Sequence, residues 1–377
     1  MDSSHQLIEQ FLEDDVSRVL VNPRLRDGRG EVAQRLLGDS AWARGHLFFS
    51  TSGTTGEPKW IGLSRQALFT SATMVNDHLE CSKADAWARS IPAFHVGGAG
   101  IVFRALLGQA EIHDLPIQWE PALFAAAVET AGASLLSLVP TQLHDLVEAG
   151  WQAPGGVRAV LVGGAALDGE LARSARNLGW PVLTTYGLTE AASQVATQPL
   201  RDALSARAEI RPAVLEGWSA RVAESGCLEI RGEALYSSVL TIDRSGEHEF
   251  LKRETGAWHD TGDLADFSTE GRLEILGRSD LALKILGERV LLDELRRIFS
   301  GFCGSDHSRS TLAALPDERR GHRIVAVFEK TPVPSVIHRY NESTAPFERI
   351  IETREVEAIP RTALGKIREA DLRAILE

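Results

Sequence analysis

Two apolar rhythms alternate through the first half of the chain. Short β-rich runs, HLFFS, ASLLSLV, VRAVLVGG and PVLTTYG, are separated by longer stretches with helical spacing, LSRQALFTSATMVNDHL, PTQLHDLVEAG and LDGELARSARNLG. Strands alternating with helices predict parallel pairing and an α/β sheet covered on both faces. Ligands of such sheets gather beyond the C-terminal ends of the strands. Three glycine-bearing polar turns follow strands here: STSGTTGEPK, GGAAL and TYGLTE. A fold that brings them together makes one site from them.

Beyond about Leu200 the texture changes. CLEIRG, EHEFLK and GRLEILG read as short strands between Gly, Ser and Asp turns, which predicts a small β-rich subdomain over about 200–278. A second break lies at GRSD, 277–280. After it, the helical LLDELRRIFS, the strand HRIVAVFEK, the helix VIHRYNESTAP and a helix ending DLRAILE predict a small α+β domain. The expected division is a large α/β domain over 1–278 and a small domain over 279–377. PALFAAAVETAGASLLSLV is interrupted by Glu129 and contains Gly132, so it reads as a buried helix followed by a strand, not as a membrane span.

A length of 377 residues accommodates both domains. The formal net charge of -12 argues against a nucleic-acid partner, because a phosphate backbone is bound mainly by Lys and Arg. An anionic metabolite is not excluded, since local donors outweigh the average field. Cys81, Cys227 and Cys303 are widely spaced and form no CxxC pair, which argues against a disulfide framework or zinc knuckle and fits a reducing compartment. The acidic start, MDSSHQLIEQFLEDD, lacks the apolar core of a signal peptide, so a cytoplasmic location is expected.

The loop after HLFFS offers closely spaced backbone N–H groups and hydroxyl donors, which suit a polyphosphate. Lys59 is placed to neutralise charge, and Pro58 restricts the exit. Only Thr54 and Thr55 separate Gly53 from Gly56, whereas a Walker loop needs four residues there and then Lys-Ser/Thr. On composition alone, a polar turn remains the alternative.

TSGTTGEPK, from Thr51 to Lys59, resembles the phosphate-loop signature of the adenylate-forming acyl- and aryl-CoA synthetase family. Further family elements follow in order. IPAFHVGG resembles the acyl-pocket segment, VGGAAL the loop beside the adenine, and TYGLTE the adenine-stacking and metal-binding motif. TGDL resembles the ribose motif, GRSDLALKILGERV the hinge, and PRTALGK the C-terminal catalytic loop. The phrases IPAFHVGGAG and LVPTQLHDLV most resemble the 2-succinylbenzoate-CoA ligases of menaquinone synthesis.

The resemblance implies two half-reactions. A carboxylate attacks the α-phosphate of ATP to give an acyl-adenylate and pyrophosphate, and coenzyme A then displaces AMP. It implies that Thr51, Ser52, Gly53, Thr54, Thr55, Gly56 and Lys59 hold the β- and γ-phosphates. Gly163, Gly164 and Ala165 lie beside the adenine, and Tyr186, followed by Gly187, stacks on it. Thr189 touches the α-phosphate, and Glu190 holds Mg²⁺ through a hard carboxylate oxygen. Asp263 takes the ribose hydroxyls with paired acceptors, and Arg278 reaches the nucleotide. His95 lines the acyl pocket, Gly287 the pantetheine tunnel, and Lys366 bridges the acid's carboxylate and the α-phosphate. Asp280 is the hinge about which a mobile small domain turns.

Each residue also has a plainer reading. Thr189 caps a helix with Glu190 in its first turn, and Asp263 serves a glycine turn. Arg278 is a weak surface ion pair, His95 a hydrogen-bonded core residue, and Lys366 a solvated tail charge.

The chain departs from the family pattern in three places. The phosphate loop begins near residue 50, so part of the usual N-terminal region is expected to be absent. A homodimer or a rearranged sheet is then expected to cover apolar surface, with Leu7, Ile8, Phe11 and Leu12 as a candidate face. Trp60 stands where the signature carries glycine, and LLDE replaces a proline-bearing segment after the hinge. Gly97, Gly98, Ala99 and Gly100 leave width for an aromatic acid, but no arginine is placed by sequence to meet a second carboxylate. Competing readings are another aryl- or acyl-CoA ligase, an enzyme loading an acid onto a carrier protein, and a non-catalytic nucleotide-binding homologue. Retention of Glu190 and Lys366 argues against the last.

Overall fold

The computed structural model describes residues 3–21, 28–38, 43–52, 58–115, 119–205, 207–243, 245–304, 309–362, 365 and 367–377. They form two compact units. The first comprises Met1–Ala220, Ile230–His259 and Gly271–Leu273; the second comprises Arg221–Glu229, Asp260–Glu270 and Glu274–Glu377.

The first unit is built on two sheets. The larger runs in the order β10 (Ala213–Val214), β9 (Ser193–Thr197), β8 (Val182–Leu188), β7 (Ala159–Val162), β6 (Leu135–Leu138), β4 (Ala86–Arg89), β5 (Glu111–Asp114). From β5 to β8 the pairing is parallel, as the alternating pattern predicts. The helices Pro121–Thr130, Pro140–Glu148 and Gly169–Asn177 supply Phe124, Leu143, Leu146 and Ala172 to a core that includes Val160, Val162 and Val182 of the strands. This apolar burial is the main term holding the layers together.

The smaller sheet runs β1 (Arg18–Leu20), β2 (His46–Ser52), β3 (Pro58–Ser64), β13 (Ser238–Ile242), β14 (His248–Lys252). Here the parallel expectation holds only for β1 and β2, and every other pair is antiparallel. For β2–β3 and β13–β14 the reason is connection length: the segments between them are too short to hold the crossover that parallel neighbours require. Trp60 on β3 is 1% exposed and packs with Val19, Phe48, Leu240 and Ile242. Ile8 and Phe11 of the helix Ser3–Glu13 are fully buried inside the chain itself, while Leu7 and Leu12 are half-buried.

The β-rich stretch predicted over about 200–278 does not form one sheet: β10, β13 and β14, the last carrying EHEFLK, join the two sheets above, and only β11 (Ser219–Val222), β12 (Cys227–Arg231), β15 (His259–Phe267) and β16 (Leu273–Arg278) make a separate four-stranded sheet. The C-terminal part of the second unit is α+β. It has a hairpin, β17 (Ala282–Ile285) and β18 (Glu288–Leu291), and a three-stranded sheet, β19 (Ser310–Asp317), β20 (Gly321–Phe328), β21 (Ile350–Glu355). Leu292, Leu295 and Phe299 recur at helical spacing along Leu292–Cys303 and bury one face of that helix. Phe299 packs with Phe328 and Tyr340. No helix among the described residues is long and apolar enough to cross a membrane.

Candidate active site

The parallel strands β4, β6, β7 and β8 all end on one edge of the larger sheet, and polar turns follow them. Hydrogen bonds lace that edge. Ser90 Oγ donates to the Ser137 carbonyl at 2.8 Å, Gly163 N–H to Leu138 at 3.2 Å, and Thr185 Oγ1 to Val162 at 3.2 Å. His95 follows β4, Gly163, Gly164 and Ala165 follow β7, and Tyr186, Gly187, Thr189 and Glu190 lie on or just after β8. Two of the three glycine-bearing turns therefore meet on adjacent strands.

Glu190 sits in a single 3-10 turn, Thr189–Ala191, entered through Leu188 in extended conformation. Leu188, not Thr189, occupies the cap position, which sets aside the plain helix-cap reading of Thr189. The strand before the turn is irregular: the β8–β9 register shifts between Tyr186 and Gly187. A Cβ at Gly187 would lie 1.8 Å from the Ser193 carbonyl oxygen, so only glycine lets the two strands approach here.

Two residues outside any recognised motif tie this turn to the other sheet. Tyr236 N–H donates to the Glu190 carbonyl at 2.8 Å. The next residue, Ser237, donates to the Gly62 carbonyl of β3 through its N–H at 2.9 Å and its Oγ at 3.1 Å. The dipeptide thus fixes the Glu190 turn against the strand that leaves the phosphate loop. The Tyr236 ring is flanked by the Arg253 guanidinium, 5.7 Å from its centroid, and by His259 at 5.2 Å. Burial holds the Tyr236 phenol above its usual range, against the opposing charge of Arg253 and with a smaller push from Glu190.

Thr51 and Ser52 end β2, and Lys59 lies exposed on β3 directly opposite Thr51. Gly53, Thr54, Thr55 and Gly56 lie outside the described residues, as does Lys366.

His95 is the residue from which the helix Val96–Gly108 starts, and its carbonyl accepts from Gly98 and Ala99 N–H. Its ring lies 4.6 Å from that of Phe94. Burial pushes the imidazole down to about 4, so the ring is neutral near pH 7. Its Nε2 is buried with no hydrogen-bond partner among the described residues. A neutral ring with an unspent nitrogen is equipped to meet a polar atom of a ligand.

Arg104, on the same helix, was not singled out by sequence. It is 1% exposed, its Nη2 donates to Ser193 Oγ at 3.2 Å, and its guanidinium lies 5.9 Å from the Trp87 ring centroid. Nε has no partner, and no carboxylate pairs with it among the described residues. Burial pulls its pKa down to about 10, so it is still a cation at neutral pH. A Cβ at Gly100 would lie 3.2 Å from Nη2, so the guanidinium folds back over Gly100, the end of the small-residue stretch. One signal existed in the sequence: an arginine inside the otherwise apolar helix GIVFRALLG.

In the second unit, Arg278 gathers two of the expected residues. Its Nη1 lies 3.2 Å from Asp263 Oδ1 and donates to the Thr261 carbonyl at 2.9 Å, and its Nε donates to Asp280 Oδ1 at 3.1 Å. Gly287 forms the tip of the β17–β18 hairpin with Leu286, at φ of 90° and 53° respectively, the left-handed pair that a tight hairpin turn demands. Among the described residues no group of three or more His, Cys, Asp or Glu side chains converges as a metal cage.

Residues 47–226 match the family model described as AMP-binding enzyme. The chain is 26% identical over 383 residues to the 2-succinylbenzoate--CoA ligase of Listeria monocytogenes serotype 4b, covering 98% of this chain and 78% of that protein. It superimposes on O-succinylbenzoate coenzyme A synthetase (MenE) from Bacillus subtilis in complex with AMP with a TM-score of 0.75 at 21% identity, covering 100% of this chain and 81% of the other. An Arg-to-Lys variant of E. coli MenE with bound OSB-AMS matches with a TM-score of 0.69 at 26% identity, over 88% of this chain and 68% of the other. Motif order, fold and relatives agree in one direction: over residues 47–226 the chain is similar to the AMP-binding enzymes.

Proposed function

We propose that the chain ligates a carboxylic acid to coenzyme A through an acyl-adenylate, with 2-succinylbenzoate as the acid and menaquinone synthesis in the cytoplasm as the setting. The observation that carries this reading is the convergence of the GGAAL and TYGLTE turns on adjacent strand ends, tied through Tyr236 and Ser237 to the strand leaving the phosphate loop. Relatives named as 2-succinylbenzoate-CoA ligases supply the acid.

In the first half-reaction the acid's carboxylate oxygen bonds to the α-phosphorus, and the bond to the bridging oxygen breaks to release pyrophosphate. Thr51, Ser52, Gly53, Thr54, Thr55, Gly56 and Lys59 grip the β- and γ-phosphates. Tyr186, beside Gly187, stacks on the adenine against Gly163, Gly164 and Ala165. Asp263 takes the ribose hydroxyls, with Arg278 holding that carboxylate in place. Thr189 meets the α-phosphate, and Lys366 bridges it to the acid. Glu190 would hold Mg²⁺ through its carboxylate, a hard oxygen donor that suits this ion. When bound, the ion offsets charge that builds on the phosphoryl oxygens. His95 presents a neutral ring to the acid. Arg104, a buried cation with no carboxylate partner among the described residues, meets the acid's second carboxylate.

In the second half-reaction the coenzyme A thiolate attacks the acyl carbonyl and AMP leaves. The small domain, from about Ser279, turns at Asp280 so that Lys366 gives way to the pantetheine tunnel at Gly287.

Lys366→Ala tests the assignment. Pyrophosphate release should fall by about a hundredfold or more, while thioester formation from supplied acyl-adenylate keeps most of its rate. Near-normal pyrophosphate release would refute the role given to Lys366.

A further inference from the structure

Inside the second unit, a line of charged contacts joins the hinge segment to the C-terminal helix. The backbone N–H of Arg278 donates to Asp293 Oδ2 at 3.3 Å, linking residues on either side of Asp280. On the helix Leu292–Cys303, Asp293 Oδ1 lies 3.5 Å from Arg296 Nη1. Arg296 then grips Glu369 with both terminal nitrogens, at 2.5 and 3.0 Å, while its Nε donates to the Leu312 carbonyl of β19 at 2.8 Å. The Arg296 side chain is 13% exposed and that of Glu369 37%. A forked guanidinium–carboxylate pair of this kind fixes direction as well as distance. Asp280 and Glu369 also line one small cavity of about 50 Å³, together with Leu292, Ala314 and Leu372.

Glu369 opens the helix Glu369–Leu376, just after PRTALGK. The described residues bracketing Lys366 are fastened separately: Arg361 Nη1 donates to the Gly365 carbonyl at 3.0 Å, and Arg368 N–H to Pro360 at 2.9 Å. The helix that follows this segment is seated on the body of the small domain by Leu372 and Leu376, which pack against Leu315 and Val325, and the ion pair fixes its first turn. The contacts differ in what a rotation at Asp280 does to them. The Arg278–Asp293 bond spans the pivot and must break, whereas Arg296 and Glu369 lie on the same side and travel together.

We propose that Arg296 and Glu369 are positioning residues for the first half-reaction, carrying the C-terminal segment through the rotation as one body, and that Asp293 is the breakable latch on that rotation. The proposal rests on the ligase reading above.

The test measures the two half-reactions separately in the full chain: pyrophosphate release from ATP and acid, and thioester formation from supplied acyl-adenylate and coenzyme A. Glu369→Gln should slow the first about tenfold and the second by less than about threefold. The exchange Arg296→Glu/Glu369→Arg should recover most of the first rate, because the pair re-forms with reversed polarity. Thermal unfolding of each variant shows that the loss is not one of folding. Equal loss in both half-reactions, or an exchange no better than Glu369→Gln, would overturn the proposal. Lys366→Ala in the same assays separates the two levels: if it leaves pyrophosphate release intact, the parent reading fails, whatever Glu369→Gln does.

Discussion

Arg278 stands between two carboxylates, 3.2 Å from Asp263 and 3.1 Å from Asp280, so the residue proposed to hold the ribose and the residue proposed as hinge share one cation. The two charges, together with hydrogen bonds, hold the guanidinium above its ordinary range although partial burial opposes this. Removing the cation leaves Asp263 without its orienting partner. Arg278→Ala should raise the KM for ATP about tenfold and change the KM for the acid little. ATP–pyrophosphate exchange at varied ATP and varied acid measures both, and an unchanged KM for ATP would separate Asp263 from nucleotide binding.

Arg104 invites an experiment in which binding and stability move apart. A buried cation with no carboxylate partner among the described residues costs folding free energy, so Arg104→Met should leave the protein as stable as before or more so in urea. The same variant should raise the KM for 2-succinylbenzoate at least tenfold, about 1.4 kcal/mol, while aryl monocarboxylates gain nothing from the arginine and lose nothing without it. A uniform loss across both acid classes would show that Arg104 serves only packing.

His95 titrates at about 4 because burial disfavours its charged form, whereas in an unfolded chain it takes up its proton near 6.5. Between these values the unfolded state binds more protons. The His95 contribution is therefore complete above about pH 6.5 and is lost progressively as pH falls toward 4. His95→Gln should flatten that part of the stability profile. Urea unfolding at stepped pH reads it, and an unchanged slope in the variant would assign the acid sensitivity elsewhere.

The approach of β8 to β9 at Gly187 admits no methyl group. Gly187→Ala pushes a carbon against the Ser193 carbonyl oxygen and should destabilise the fold by at least ~2 kcal/mol. Because the same hairpin carries Glu190, adenylation should fall further than the loss of folded protein explains. A variant of wild-type stability would show that the strands part readily.

Asp280→Pro should slow thioester formation more than adenylation, since a fixed φ at the pivot restrains the second pose. Equal loss in both half-reactions would point to a folding defect.

Much of the α/β pattern was legible because local periodicity and burial agree, as in VRAVLVGG and PVLTTYG, which became β7 and β8. KWIGLS was harder to read. It runs straight into the helical pattern of LSRQALF, and its strand character depends on β2 and β13 flanking it in space. The turns at the sheet edge were visible because each follows a strand. Tyr236 and Ser237 were not, because what matters there is mostly backbone N–H, which every residue but proline owns. The sequence carries a signal at Arg104, a charge inside an apolar helix, that alone does not single it out, because its having no carboxylate partner among the described residues is a fact of tertiary packing.

The Ser237–Gly62 contact, between residues 175 apart in sequence, also bears on how the chain acquires its structure. Until β13 has been synthesised, β3 has a bare edge beside a large indole, and closing so long a loop costs entropy before any ladder bond is made. The β3–β13 pairing should therefore form late and set the pace of refolding, in the manner of topologies dominated by distant contacts. A nascent chain ending anywhere before Ser238 would present that edge to its neighbours, so the greatest aggregation risk belongs to the ribosome-bound and freshly diluted protein, not to the finished one.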